Sequence, residues 1–101
     1  MNTKPYTYEG NLYFADANVG DRVYYSVDIT NAMIDSAGTI DSVTWTLASG
    51  ITSEDEYTTS TIAYCKINSP SIGTYKITIT VDSSYNGKSA TDVQVFWLKV
   101  I

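Results

Sequence analysis

A period-two alternation of apolar and polar residues is the feature that most restricts the fold of this chain. It is clearest in residues 74–82 (TYKITITVD) and recurs in RVYYSVDI and IDSVTWTLA. Because successive side chains of a β-strand point to opposite faces, each segment presents one apolar and one polar face. The predicted inward side chains are Val23, Tyr25, Val27, Ile29, Val43, Trp45, Leu47, Tyr75, Ile77, Ile79 and Val81. The pattern predicts half-buried antiparallel strands.

Turn-forming residues separate the alternating segments. Asn86-Gly87 is typical of tight β-hairpins, since both residues tolerate a positive φ. Residues 29–34 (ITNAMI) have the apolar spacing of one helical turn and no more. About seven short strands with turns between them predict an all-β fold, an immunoglobulin-like antiparallel β-sandwich over residues 21–101. Tyr75 favours this architecture because it opens a strand after a turn, like the corner tyrosine of immunoglobulin-like folds.

The first twenty residues differ in composition from the rest. PYTYEG and NLYFADANVG are rich in aromatic residues, and each ends in glycine. We predict that residues 1–20 form an N-terminal arm or a first strand pair. The sequence leaves open whether this segment packs on its own domain or becomes ordered on a partner.

Charge limits the partners that the chain can have. The net charge is −5, and the six basic residues lie singly along the chain. Nucleic-acid binding uses clustered Lys and Arg, and an anionic membrane surface repels an acidic chain. We therefore expect neither nucleic acid nor membrane as a partner. No apolar run approaches the length of a membrane span and no signal-peptide pattern is present, so we expect synthesis in the cytoplasm.

No arrangement of residues typical of catalysis is present. The chain has no histidine, which excludes Ser-His and Cys-His mechanisms. The acids Asp28, Asp41, Asp82 and Asp92 are dispersed, and their spacing selects no pair for hydrolysis. We predict that the protein is not an enzyme.

Two further patterns are interpreted as structural. Residues 53–56 (SEDE) are predicted to form a solvated acidic loop and not a calcium site, because consecutive acids do not converge on one point. Cys65 lies in the apolar segment IAYCKI and is predicted to be a buried hydrophobe, since no histidine or basic cluster activates its thiol. We therefore predict no metal site and no cofactor.

Several motifs follow one another between Val23 and Val100: YYSVDI, TIDSVTWTLASGI, TTST, Gly-Thr-Tyr and Phe-x-Leu-Lys-Val. In this order they resemble a family of small virion proteins of tailed bacteriophages, the fiber–tail adaptor or minor structural proteins. The resemblance covers about three-quarters of the chain and departs at Ile29, where the family has tryptophan. It implies a structural subunit without chemistry. It also implies Phe96, Leu98 and Val100 as the inward set of the last strand, with Trp97 pointing outward.

The last strand carries apolar residues at both parities. They are Val93, Val95 and Trp97 at odd positions and Phe96, Leu98 and Val100 at even positions. A β-bulge near Val95 would shift the parity and place Val93 and Val95 on the inward face. Alternatively, both faces are apolar, and the N-terminal arm or a neighbouring subunit covers the outer one. Under either explanation Trp97 is predicted to be sheltered by something beyond its own sandwich.

These observations favour a structural protein of a phage virion, either an adaptor at the tail or fiber or a decoration subunit of the capsid. It would dock through its sheet faces and N-terminal arm onto other virion proteins and onto copies of itself. The alternative hypothesis is a carbohydrate- or cell-surface-binding module that uses exposed aromatic rings. The predicted partner-binding residues are Trp97, Ile101, Tyr6, Tyr8, Tyr13 and Phe14.

Overall fold

A computed structural model describes residues 3–4, 7–9, 12–35 and 37–101, with side chains from Ala15 onward. Its strands are β1 (Thr3–Lys4), β2 (Thr7–Glu9), β3 (Leu12–Ala17), β4 (Arg22–Asp28), β5 (Thr39–Leu47), β6 (Thr52–Thr59), β7 (Ile62–Asn68), β8 (Gly73–Tyr85) and β9 (Lys88–Val100). A short 3-10 helix, Thr30–Ala32, follows β4, as the sequence predicts.

The strands form two sheets that pack face to face. One has the order β1-β4-β7-β6 and the other the order β2-β3-β9-β8-β5. The pairings β1–β4 and β3–β9 are parallel, and the other pairings are antiparallel. The prediction of an all-β sandwich is confirmed.

The core lies between the sheets, where the alternating segments place it. Ile77, Ile79 and Val81 of β8 are fully buried, and Trp45 of β5 packs edge-on against Phe96 with ring centroids 6.4 Å apart. Each fully buried aliphatic side chain stabilises the fold by roughly 1.5–3 kcal/mol. The inward faces predicted for β4, β5 and β8 are confirmed.

A tight turn fixes the register of the two longest strands. Asn86 and Gly87 have φ values of 54° and 73° between β8 and β9, as a two-residue hairpin turn requires. Pairing then continues without a shift from Tyr85–Lys88 to Gly73–Val100. The predicted hairpin is confirmed.

Tyr75 braces the opposite end of β8. Its hydroxyl donates hydrogen bonds to the carbonyl oxygens of Ser71 (3.1 Å) and Ile72 (3.4 Å). Its ring packs so closely on Gly50 that a Cβ there would lie 2.7 Å from the ring carbon Cε1. Gly50 also has a φ of +106°, which L-residues rarely adopt.

The N-terminal segment contributes strands to both sheets. β1 pairs with β4 in one sheet, while β3 pairs with β9 in the other and places Ala15 and Ala17 in the core. Tyr6 lies outside the described residues.

The prediction of a loop at residues 53–56 is wrong, because these residues belong to β6. Among the described strands it pairs only with β7, at the edge of its sheet, with a register shift between Ser53 and Asp55. Charged side chains and bulges are common on edge strands, where they discourage pairing with other chains. The acids also have partners on β4, the strand on the far side of β7: Arg22 binds Glu54 at 2.7 Å, and the Tyr24 hydroxyl donates to Asp55 at 2.7 Å.

Candidate functional site: the outer face of the five-stranded sheet

The last strand keeps one parity throughout. Phe96 and Leu98 are buried, as the resemblance implies, and Trp97 points outward and is half-buried. The proposed β-bulge near Val95 is wrong, because the β8–β9 register has no shift. Val93 and Val95 therefore lie on the outer face, 58% and 39% exposed.

The inward positions beside these valines belong to polar residues. Asp92 and Gln94 lie opposite the core residues Val81 and Ile79 and are half-buried. The Gln94 amide donates a hydrogen bond of 3.4 Å to the Asp92 carboxylate. At this end of the sandwich polar side chains occupy the inward positions of β9, and the valines stay on the outer face.

We define the outer face by nine side chains on three adjacent strands of the five-stranded sheet. They are Thr44 and Thr46 of β5, Lys76, Thr78, Thr80 and Asp82 of β8, and Val93, Val95 and Trp97 of β9.

The register arranges the β-branched residues of the outer face in two rows across the sheet. One row is Thr44, Thr80 and Val93, and the other is Thr46, Thr78 and Val95. Short β-branched side chains of similar height pack well on a pleated surface and leave methyl groups exposed. The rows form a surface of short side chains, in which two valines lie beside four threonines.

The outer face carries opposite charges at its two ends. Lys76 is exposed and lies opposite Trp97, whereas Asp82 lies at the other end of β8. The Asp82 carboxylate accepts hydrogen bonds from the hydroxyls of Thr91 (2.5 Å) and Ser42 (2.9 Å). These two bonds, the Thr91 bond first, lower the pKa of Asp82 from its ordinary value, so the carboxylate is ionised at neutral pH.

The predicted partner-binding residues are distributed around this face. Phe14 of β3 pairs in register with Trp97, and Tyr8 pairs with Tyr13 in the β2–β3 hairpin beyond it. Ile101 follows β9 and is 68% exposed, while its backbone N–H donates to the Ala17 carbonyl at 2.9 Å. The structure therefore brings Trp97 and Phe14 to adjacent strands and leaves Ile101 at one end of the sheet.

Sequence reasoning did not identify a tyrosine cluster on the outer side of the other sheet. Tyr57 of β6 stacks on Tyr64 of β7 with centroids 4.7 Å apart and contacts Tyr24 of β4 edge-on at 6.0 Å. Lys66 places its Nζ 5.8 Å from the Tyr24 ring centroid. The sequence did not indicate this cluster, because no strand was predicted at Tyr57.

The tyrosine cluster connects strands and does not form a flat platform. Its rings are stacked at 17° or crossed at 71°, so each pair uses ring faces and edges for internal contact. Cross-strand aromatic pairs of this kind stabilise a sheet. The arrangement gives no specific support to sugar stacking, which uses ring faces that are free to contact the ligand.

Cys65 is buried, and its Sγ donates a hydrogen bond of 3.4 Å to the Ser53 hydroxyl. Burial raises the pKa of the thiol to about 11.

We expect Cys65 in the folded protein to react with a thiol reagent at pH 8 far more slowly than the unfolded chain does. The raised pKa also means that its contribution to stability is complete at pH 8 and is lost as the pH rises toward 11. Absorbance kinetics with and without denaturant measure the reactivity, and equal rates would contradict this burial.

Within the described part of the chain, no cluster of three or more His, Cys, Asp or Glu side chains could hold a metal ion. No helix in that same part is both long and apolar enough to cross a bilayer. The chain matches no protein-family model, no curated protein and no solved structure.

Proposed function

We propose that this protein is a non-enzymatic structural subunit of a tailed-phage virion, and that it attaches to other virion proteins through the outer face and the N-terminal arm. The observation that carries this proposal is the outward apolar row on β9, in which Val93 and Val95 are exposed and Trp97 is half-buried. The motif resemblance to small phage virion proteins is the reason for proposing a tailed-phage virion as the assembly.

Burial of this row would supply a driving force for attachment. A tryptophan side chain buries roughly 150–250 Å² when fully covered. At ~25 cal/mol per Å², covering the exposed part of such a ring and two valines contributes a few kcal/mol. Rows of short side chains across a sheet suit contact with a second protein surface better than capture of a small ligand, which uses a concave pocket.

An immunoglobulin-like architecture is part of the proposal. The sheet orders β4-β7-β6 and β3-β9-β8-β5, with a parallel pairing of β3 and β9, support this assignment. The Tyr75 hydroxyl, bonded to a backbone carbonyl four residues earlier, supports the same assignment.

The test is incorporation into the particle. In a phage whose copy of the gene is deleted, wild-type protein supplied in trans should be found in purified virions, whereas Val95→Glu should be reduced at least tenfold. The introduced carboxylate would lose its water at the centre of the contact, where no group on the other protein is placed to bind it. Quantitative mass spectrometry of the virions measures both.

Thr59→Glu is the matched control, because it adds the same charge at an exposed position of β6 on the other sheet. It should be incorporated like wild type. Absence of the wild-type protein from virions, or equal incorporation of Val95→Glu, would overturn the proposal. Binding to a glycan array without incorporation would instead support the carbohydrate-binding alternative.

A further inference from the structure

We propose that the outer face pairs with the same face of a second copy, about a two-fold axis perpendicular to the strands. The inference rests on the proposed function, in which this face is a docking surface, and it names the partner. An isologous contact of this kind requires a surface that is complementary to itself.

The rows of β-branched residues meet this requirement. Trp45, Ile79 and Gln94 lie side by side on β5, β8 and β9 and mark the midline of the face. Each strand carries matching β-branched residues one position before and one after this midline. They are Thr44 and Thr46, Thr78 and Thr80, and Val93 and Val95. Rotation about an axis along the midline therefore stacks threonine on threonine and valine on valine.

The charges select this axis. Lys76 lies three residues before Ile79 and Asp82 three residues after it. The rotation places Lys76 of each copy opposite Asp82 of the other copy, so two attractive contacts form. An axis parallel to the strands would instead place Lys76 against Lys76 and Asp82 against Asp82, which like-charge repulsion opposes.

The available area predicts a reversible dimer. The three strands of the outer face, ~4.8 Å apart, and the ~20 Å from Lys76 to Asp82 give an area of about 300 Å² per copy. A pair would bury about 600 Å² in total, below the range of stable specific interfaces, which corresponds to a weak contact. We therefore expect a concentration-dependent equilibrium between monomer and dimer.

The experiment is a charge exchange followed by sedimentation equilibrium. The wild-type protein should approach twice its chain mass of 11.1 kDa as concentration rises. K76E and D82K should each weaken the dimer about tenfold or more, because each change turns two attractive contacts into repulsive ones. An equimolar mixture of K76E and D82K should recover dimers, since every contact between the two variants again joins opposite charges.

Substitution of Asp82 also removes its hydrogen bonds with Thr91 and Ser42. The mixture separates that loss from the effect of the exchanged charge. A variant that had merely lost its fold would not recover on mixing. K88E is the matched control, because Lys88 is exposed at the β8–β9 turn, away from the face, and its dimer constant should stay within about twofold of wild type.

A wild-type protein that stays monomeric at all soluble concentrations would overturn the inference, and so would a mixture that fails to recover dimers. The two proposals fail separately. A monomer that is incorporated into virions contradicts the pairing alone, whereas a dimer that is absent from virions contradicts the proposed function alone.

Discussion

Gly50→Ala is expected to lower the free energy of unfolding by about 2–5 kcal/mol. Alanine at this position would be held at a φ of +106°, and its Cβ would lie 2.7 Å from Cε1 of Tyr75. The ring cannot move away without disturbing the bonds from its hydroxyl to the Ser71 and Ile72 carbonyls. For a chain of this size such a loss lowers the melting temperature by roughly 10 °C or more.

Gly20→Ala is the matched control for Gly50→Ala. Gly20 has a similar φ of +91°, but a Cβ there meets no atom within 4 Å. We expect a loss of about 1–2 kcal/mol from the backbone conformation alone. Urea unfolding followed by circular dichroism measures both variants. Equal losses would show that the close approach of Tyr75 to Gly50 does not matter for stability.

Leu98→Ala is expected to lower the free energy of unfolding by about 2–5 kcal/mol, whereas Val95→Ala should change it by about 0.5 kcal/mol or less. Leu98 is fully buried, and its truncation leaves a cavity in the core. Val95 belongs to the same strand but points outward and is 39% exposed. The comparison therefore measures the parity of β9.

The same unfolding experiment applies to this pair, with the monomer established at the working concentration. If the strand carried a bulge near Val95, both side chains would be inward and the two losses would be of similar size. A large loss for Val95→Ala would also contradict the outward apolar row on which the proposed function depends.

Segments with a polar outer face were predictable because the alternation alone decides which side chains are inward. In β8 the inward residues are Ile77, Ile79 and Val81. One lysine lies between Tyr75 and Ile77, and one threonine lies between Ile77 and Ile79. The turn Asn86-Gly87 was equally readable, since few dipeptides adopt two successive positive φ values.

β6 could not be predicted in this way, because an edge strand with acids at Glu54, Asp55 and Glu56 has no apolar period. Its pairing partner β7 and the bonds from Arg22 and Tyr24 hold it in the sheet. Those partners lie more than 30 residues away in the case of Glu54 and Asp55. The composition around these acids therefore does not indicate the contacts with Arg22 and Tyr24.

The candidate site was predictable only in part. Trp97 and its outward direction followed from the resemblance, but the valines of β9 were not assigned to a face. The rows that align Thr44 and Thr46 with Thr80 and Thr78 depend on the β5–β8 register, which includes a shift between Ile40 and Ser42. No tight turn in the sequence fixes that register, so the outer face becomes visible only in the folded chain.

The parallel pairing of β3 with β9 affects how the protein responds to force. Phe14 to Ala17 run alongside Trp97 to Val100 in the same direction. A load that pulls Leu12 and Val100 apart acts along both strands, so the hydrogen bonds between them are loaded together in shear and do not open one at a time. A unit held at these two points inside a larger assembly would resist stretching until that whole set of bonds ruptures at once.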